Sequence, residues 1–146
     1  MSEKIHVGFL GGTELPGNVQ TLLNNMRRLL RSQDQVFKCD LLVSRGVDTP
    51  ADYHQVRIDH GPAETARDRL RTLYQAVTQY AASEQPDVLM QVTRFPTHGP
   101  VASLAGRQTD TPTITRLAGD NFKEYRFTPN LGGMLRTFAL KNVMRW

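Results

Sequence analysis

Apolar positions along the chain fall into two alternating patterns. Lys4 to Leu10 is a short apolar run, and Val36 to Val43 is a second. Asp87 to Val92 is almost unbroken, and Thr113 to Leu117 follows Pro112. These lengths suit strands, and the lack of alternation in residues 87–92 suits a strand covered on both faces. Gln55 to Asp59 is a shorter candidate for a third strand. Between the runs the spacing changes to three and four. Val19, Leu22, Leu23, Met26, Leu29 and Leu30 form one helical stripe, with Arg27, Arg28 and Arg31 between or after them. Ala66, Leu70, Leu73, Val77, Tyr80 and Ala81 form another.

Local signals bound these elements. Gly11-Gly12 is expected to end the first strand in a tight turn, and Asn18 to cap the first helix. Gly61-Pro62 is expected to open the second helix and Pro86 to end that stretch. Residues 44–53 look like loop. A Gly/Pro loop at residues 96–100 is expected to precede a short helix from Val101 to about Arg107. Gly119-Asp120-Asn121 breaks the last strand, and Leu131 to Trp146 has the spacing of a final amphipathic helix. Strands alternating with helices predict an α/β domain: a doubly wound, mostly parallel sheet, Rossmann-like, with helices on both faces. No repeat or linker divides residues 1–146, so one domain is expected.

Composition adds limits. At 146 residues, 39% hydrophobic and 22% charged, the chain can bury a core without staples, and its single cysteine, Cys39, allows no intrachain disulfide. No apolar run approaches the roughly 18 residues that span a bilayer. The N-terminus lacks a signal-peptide core, so a cytoplasmic location is expected. The net charge of +4 lies in residues 101–146, which hold seven basic and three acidic residues. Such an end suits either a solvated face or contact with phosphate or anionic lipid. With no recognisable motif and 8% aromatics, nucleic acid is not an expected partner.

In an open parallel sheet, ligands bind beyond the carboxyl ends of the strands. Three loops are placed there: residues 11–18, 93–100 and 118–121. The first brings glycines and a helix N-terminus together, which suits a phosphate, although Gly11, Gly12 and Gly17 equally well serve to shape a turn. Gly8, Gly11 and Gly12 do not make G-x-G-x-x-G, and there is no P-loop run. His6, His54, His60 and His98 share no metal-ligand spacing with Cys39, and Ser44, Ser83 and Ser103 lack a nucleophile-elbow context. His6 is expected to be structural. His98, flanked by Gly and Pro, is either an exposed loop residue or part of a site.

Taken together, these loops resemble the N-terminal domain of retaining GT-B glycosyltransferases of family 4. The resemblance rests on the first strand, the Pro16-Gly17-Asn18-Val19 turn, Pro86-Asp87-Val88-Leu89, and the stretch from Thr111 to Asp120. It implies one half of a GT-B fold, the acceptor-side domain of a sugar-nucleotide-dependent enzyme. Gly17 and Asn18 would approach the donor diphosphate, with Gly119 beside them. Asn18 stands where such proteins usually have a second glycine, and Ala118 where they often have a histidine near the transferred sugar. His98, Arg116 and Asp120 are then the candidates for catalytic roles.

No metal and no covalently bound cofactor is implied; the cosubstrate would be a nucleotide-sugar, and the acceptor a glycan or lipid-linked molecule. The donor-binding half, with its E-x7-E pattern, is not among these residues, since Glu3, Glu14, Glu64, Glu84 and Glu124 include no pair eight apart. The chain is therefore expected to be inactive alone, as a fragment or as a subunit needing a partner. The alternative is a non-catalytic module that binds a partner subunit or an anionic membrane. Residues 131–146 are either a packed helix or a peripheral contact with the inner membrane face.

Overall fold

The computed structural model describes residues 5–13, 15–32, 37–44, 46–50, 53–58, 65–93 and 95–116. Five strands and three helices form there: β1 (Ile5–Gly12), α1 (Gly17–Arg31), β2 (Phe37–Val43), β3 (His54–Arg57), α2 (Ala66–Glu84), β4 (Val88–Gln91), α3 (Phe95–Thr109) and β5 (Thr113–Thr115). The strands make one sheet in the order β3-β2-β1-β4-β5, and every pairing is parallel. The expected α/β, doubly wound architecture is what the chain adopts.

Side chains alternate across the sheet and feed two cores. On one face Val7, Phe9, Cys39, Leu41, Val43 and Val92 pack with Leu15, Val19 and Leu23 of α1 and its lead-in. On the other, Leu10, Leu42 and Leu89 meet Leu73, Val77, Tyr80 and Ala81 of α2 and Val101, Ala102 and Ala105 of α3. Both faces are covered, which is why these strands carry near-continuous apolar runs.

Several local expectations are corrected. Gly11 and Gly12 do not make a turn; they are the last residues of β1, where the register with β2 shifts between Leu10 and Gly12. Asn18 is not the cap of α1. Pro16 holds that position, its carbonyl accepting from the backbone of Val19 and Gln20 at 2.8 and 3.0 Å, and no side chain caps the first turn. The fixed φ of a proline sets the direction in which the chain enters the helix, so a capping side chain is not needed to start it.

The second helix begins after Thr65, whose hydroxyl accepts from the Asp68 N–H at 3.1 Å; Gly61 and Pro62 lie outside the described residues. Gln85, in the left-handed region at φ 47°, ends it just before Pro86. Residues 96–100 are helical rather than loop, with Pro100 inside α3. An interior proline is costly, but Val101, Ala102 and Ala105 lie buried immediately beyond it, and tertiary packing outweighs local preference. The expected helix at 131–146 and the break at 119–121 fall outside the described residues.

Candidate functional site

The strand order changes direction between β1 and β4: β2 and β3 extend one way from β1, then the chain crosses to its other side. That is the switch point at which open α/β sheets form a crevice beyond the carboxyl ends of the strands. Gly11 and Gly12 close β1 there, Thr93 follows β4, and His98 rises from the beginning of α3.

These residues touch. The Thr93 hydroxyl donates to the Gly11 carbonyl at 2.5 Å, and its oxygen lies 3.2 Å from His98 Nδ1. Gly12 sits at φ +78°, a region that favours glycine. Space enforces the same choice, because a Cβ there would overlap Cε1 of His98 and stand 3.0 Å from its Nδ1. His98 is therefore not an exposed loop residue: it belongs to a helix, is 4% exposed, and lies against the end of β1.

Gln91 joins this cluster to β5. Its side chain is buried, its amide donates to the Thr93 carbonyl at 2.6 Å, and its oxygen accepts from the Arg116 N–H at 3.0 Å. The Arg116 guanidinium reaches the Val92 carbonyl at 3.4 Å. The ends of β1, β4 and β5 are thus tied together by side chains rather than by backbone alone, which holds a fixed positive charge at the rim.

Gly17 and Asn18 stand on the other side of β1, exposed at the start of α1. A side chain at Gly17 would meet nothing within 4 Å. With no side-chain cap, and with the Val19 N–H already given to the Pro16 carbonyl, the N–H groups of Gly17 and Asn18 and the positive end of the helix dipole are what this end offers an anion, an effect worth about 0.3–1 kcal/mol at an exposed end. His98 and Arg116 are brought to one rim, while Gly17 and Asn18 occupy a neighbouring one. Gly119 and Asp120 lie outside the described residues, as does Ala118.

No protein-family model matches the sequence, and no curated protein matches it significantly. Solved structures do match. The chain is similar to the lipopolysaccharide outer core galactosyltransferase WaaB in its apo form, with a TM-score of 0.62, 11% identity and 76% of this chain covered. It is similar to the UDP-GlcNAc 2-epimerase of Neisseria meningitidis bound to UDP-GlcNAc, with a TM-score of 0.56, 17% identity and 94% covered. It is also similar to MurG of Acinetobacter baumannii, with a TM-score of 0.56, 13% identity and 97% covered. The matched region spans 32%, 38% and 40% of those chains, respectively. At these identities the likeness establishes the fold: one Rossmann-like unit, shared with part of each of these larger proteins.

A groove of about 570 Å³ lies elsewhere, between β3 and α2, lined in part by His54, Val56, Tyr80, Ser83 and Glu84. Its polar groups are bound up with the sheet beneath. Asp40, fully buried, accepts from Tyr80 Oη at 2.9 Å and lies 2.6 Å from His6 Nε2 and 3.0 Å from His54 Nδ1. Lys38 pairs with Glu84 at 3.1 Å. Burial alone would raise the Asp40 carboxyl, but the hydrogen bonds from His6 and Tyr80, with the charges of His6 and Lys38, hold it below its ordinary range. Burial and the Asp40 carboxylate push the Tyr80 phenol strongly up, so it stays a donor. This cluster clamps β1, β2, β3 and α2, and the strand ends at the switch point are the better candidate for ligand chemistry.

Sequence reasoning passed over Gln91, Thr93 and Asp40. A signal was present: Gln91 and Asp40 are the polar interruptions of otherwise apolar strands, and a polar residue buried in a parallel sheet must find a partner.

Proposed function

We propose that this chain is the N-terminal, acceptor-side domain of a sugar-nucleotide-dependent, retaining glycosyltransferase, forming one wall of its cleft and lacking activity alone. The observation that carries the reading is the Gly12–Thr93–His98 cluster at the switch point, beside a helix N-terminus that no side chain caps. Two structural neighbours support the ligand class: one is a galactosyltransferase, and the other is an epimerase bound to UDP-GlcNAc. The family 4 resemblance of the loops adds the retaining outcome.

In this reading Gly17 and Asn18 admit the donor diphosphate to the N–H groups of α1, with Gly119 contributing by resemblance. Arg116 supplies a positive charge at the rim, where a departing diphosphate gathers negative charge. His98 and Asp120 are the hydrogen-bonding groups on the side of the transferred sugar. The acceptor is a glycan or lipid-linked molecule, with residues 131–146 as a peripheral membrane contact. The basic donor-side residues come from a second domain, since the chain spans only about a third of the length of its structural neighbours.

Isothermal titration of this chain with UDP- and GDP-sugars tests the one-wall reading. Micromolar protein should give no measurable heat, because half the contacts to the donor are missing. Micromolar or tighter affinity would contradict it.

A further inference from the structure

We propose that Thr93 is a positioning residue that fixes the tautomer of His98, so that the neutral ring carries its proton on Nδ1 and leaves Nε2 as the acceptor. The Gly11 carbonyl can only accept, so the 2.5 Å contact takes the single proton of the Thr93 hydroxyl. The Thr93 oxygen then has only lone pairs left for His98 Nδ1, 3.2 Å away, and that nitrogen must donate. In a neutral imidazole, a proton on one nitrogen leaves the other with its lone pair.

Neighbouring geometry locks the arrangement. Thr93 is 5% exposed and His98 4%, so water does not readily replace either partner. The Thr93 carbonyl is held by the buried Gln91 amide at 2.6 Å, which fixes the residue from its backbone side. The ring cannot swing toward β1, because its Cε1 edge lies directly against Gly12.

The tautomer has a consequence for specificity, and this part rests on the cleft reading above. With its proton on Nδ1 the neutral ring can only accept through Nε2, so whatever group meets that atom must be a donor such as a hydroxyl and not a bare phosphate oxygen.

Long-range ¹H–¹⁵N correlation of the histidine rings in the full chain reads the tautomer directly, at a pH where the rings are neutral. The His98 signals are identified by their loss in His98→Gln. Wild type should show the Nδ1–H form. Thr93→Val should convert His98 to predominantly the Nε2–H form, and Thr93→Ser should keep Nδ1–H, with the His6 and His54 signals unmoved in both. If the valine variant does not fold, Thr93→Ala removes the same hydroxyl with less bulk. An Nε2–H ring in wild type, or an unchanged ring after the hydroxyl is removed, overturns the assignment. The measurement needs no ligand, so the tautomer is read independently of whether a sugar nucleotide binds.

Discussion

Asp40→Ala should lower the unfolding free energy by about 3–5 kcal/mol, read as a fall in the urea midpoint at unchanged slope. The carboxylate is fully buried and is the shared acceptor for His6, His54 and Tyr80, so truncating it leaves the buried His6 and Tyr80 facing a small void. The His54 contact is a minor part, because its side chain is 70% exposed and water takes over that partner. The cost comes from His6 and Tyr80, both buried and both far from Asp40 in sequence. A loss below about 1 kcal/mol would show that water enters the cluster.

The same residue gives an acid limb. Its pKa in the folded state lies below the ordinary carboxylate value, so folding is favoured by ionised Asp40. That stability is fully present above about pH 4, near the unfolded pKa, and drains away as the pH falls through the lower folded value. Asp40→Asn should remove this part of the pH dependence while keeping the volume. Stability measured from pH 6 down to pH 2 should therefore fall less steeply in the variant.

Gly12→Ala is the second large effect, about 3 kcal/mol, and it strikes the proposed cleft. Alanine at φ +78° carries a backbone strain of about 1–3 kcal/mol. Its methyl would also overlap Cε1 of His98, and overpacking of that kind costs about 1–3 kcal/mol. The ring cannot yield without losing its contact with Thr93. The two causes separate in a double-mutant cycle. In a His98→Ala background the clash is gone, and Gly12→Ala should then cost only the backbone part, about 1–3 kcal/mol and less than in the wild-type background. Equal costs in both backgrounds would mean that His98 does not press on Gly12.

The architecture was legible because period and punctuation agree. Residues 87–92 read as a strand covered on both faces, and Leu73, Val77, Tyr80 and Ala81 lie where their spacing put them, in the core beneath α2. Boundaries failed where one residue type serves two purposes. Gly11 and Gly12 are turn formers by habit, yet here they end a strand. Leu15 and Val43 fill the space beside Gly11, and His98 fills that beside Gly12. Pro96 and Pro100 suggest a loop, but the small buried residues after them draw the segment into a helix. The candidate site was half visible. Gly17, Asn18 and His98 could be placed near strand ends from loop positions alone, and Arg116 came in only through the family resemblance. That Thr93 and Gln91 join the ends of β1, β4 and β5 could not, because contacts over 25 or 82 residues leave no local pattern.

If this chain forms one wall of a glycosyltransferase cleft, a sugar nucleotide must meet it at the switch-point crevice. Amide chemical-shift mapping of the ¹⁵N-labelled full chain, with UDP-GlcNAc raised into the millimolar range, tests this most directly. Weak, saturable shifts should appear at Gly11, Gly12, Gly17, Asn18, Thr93 and Arg116, while His54 to Arg57 and Tyr80 stay in place. Shifts confined to the β3–α2 groove, or no shifts at the strand ends at millimolar ligand, would contradict it.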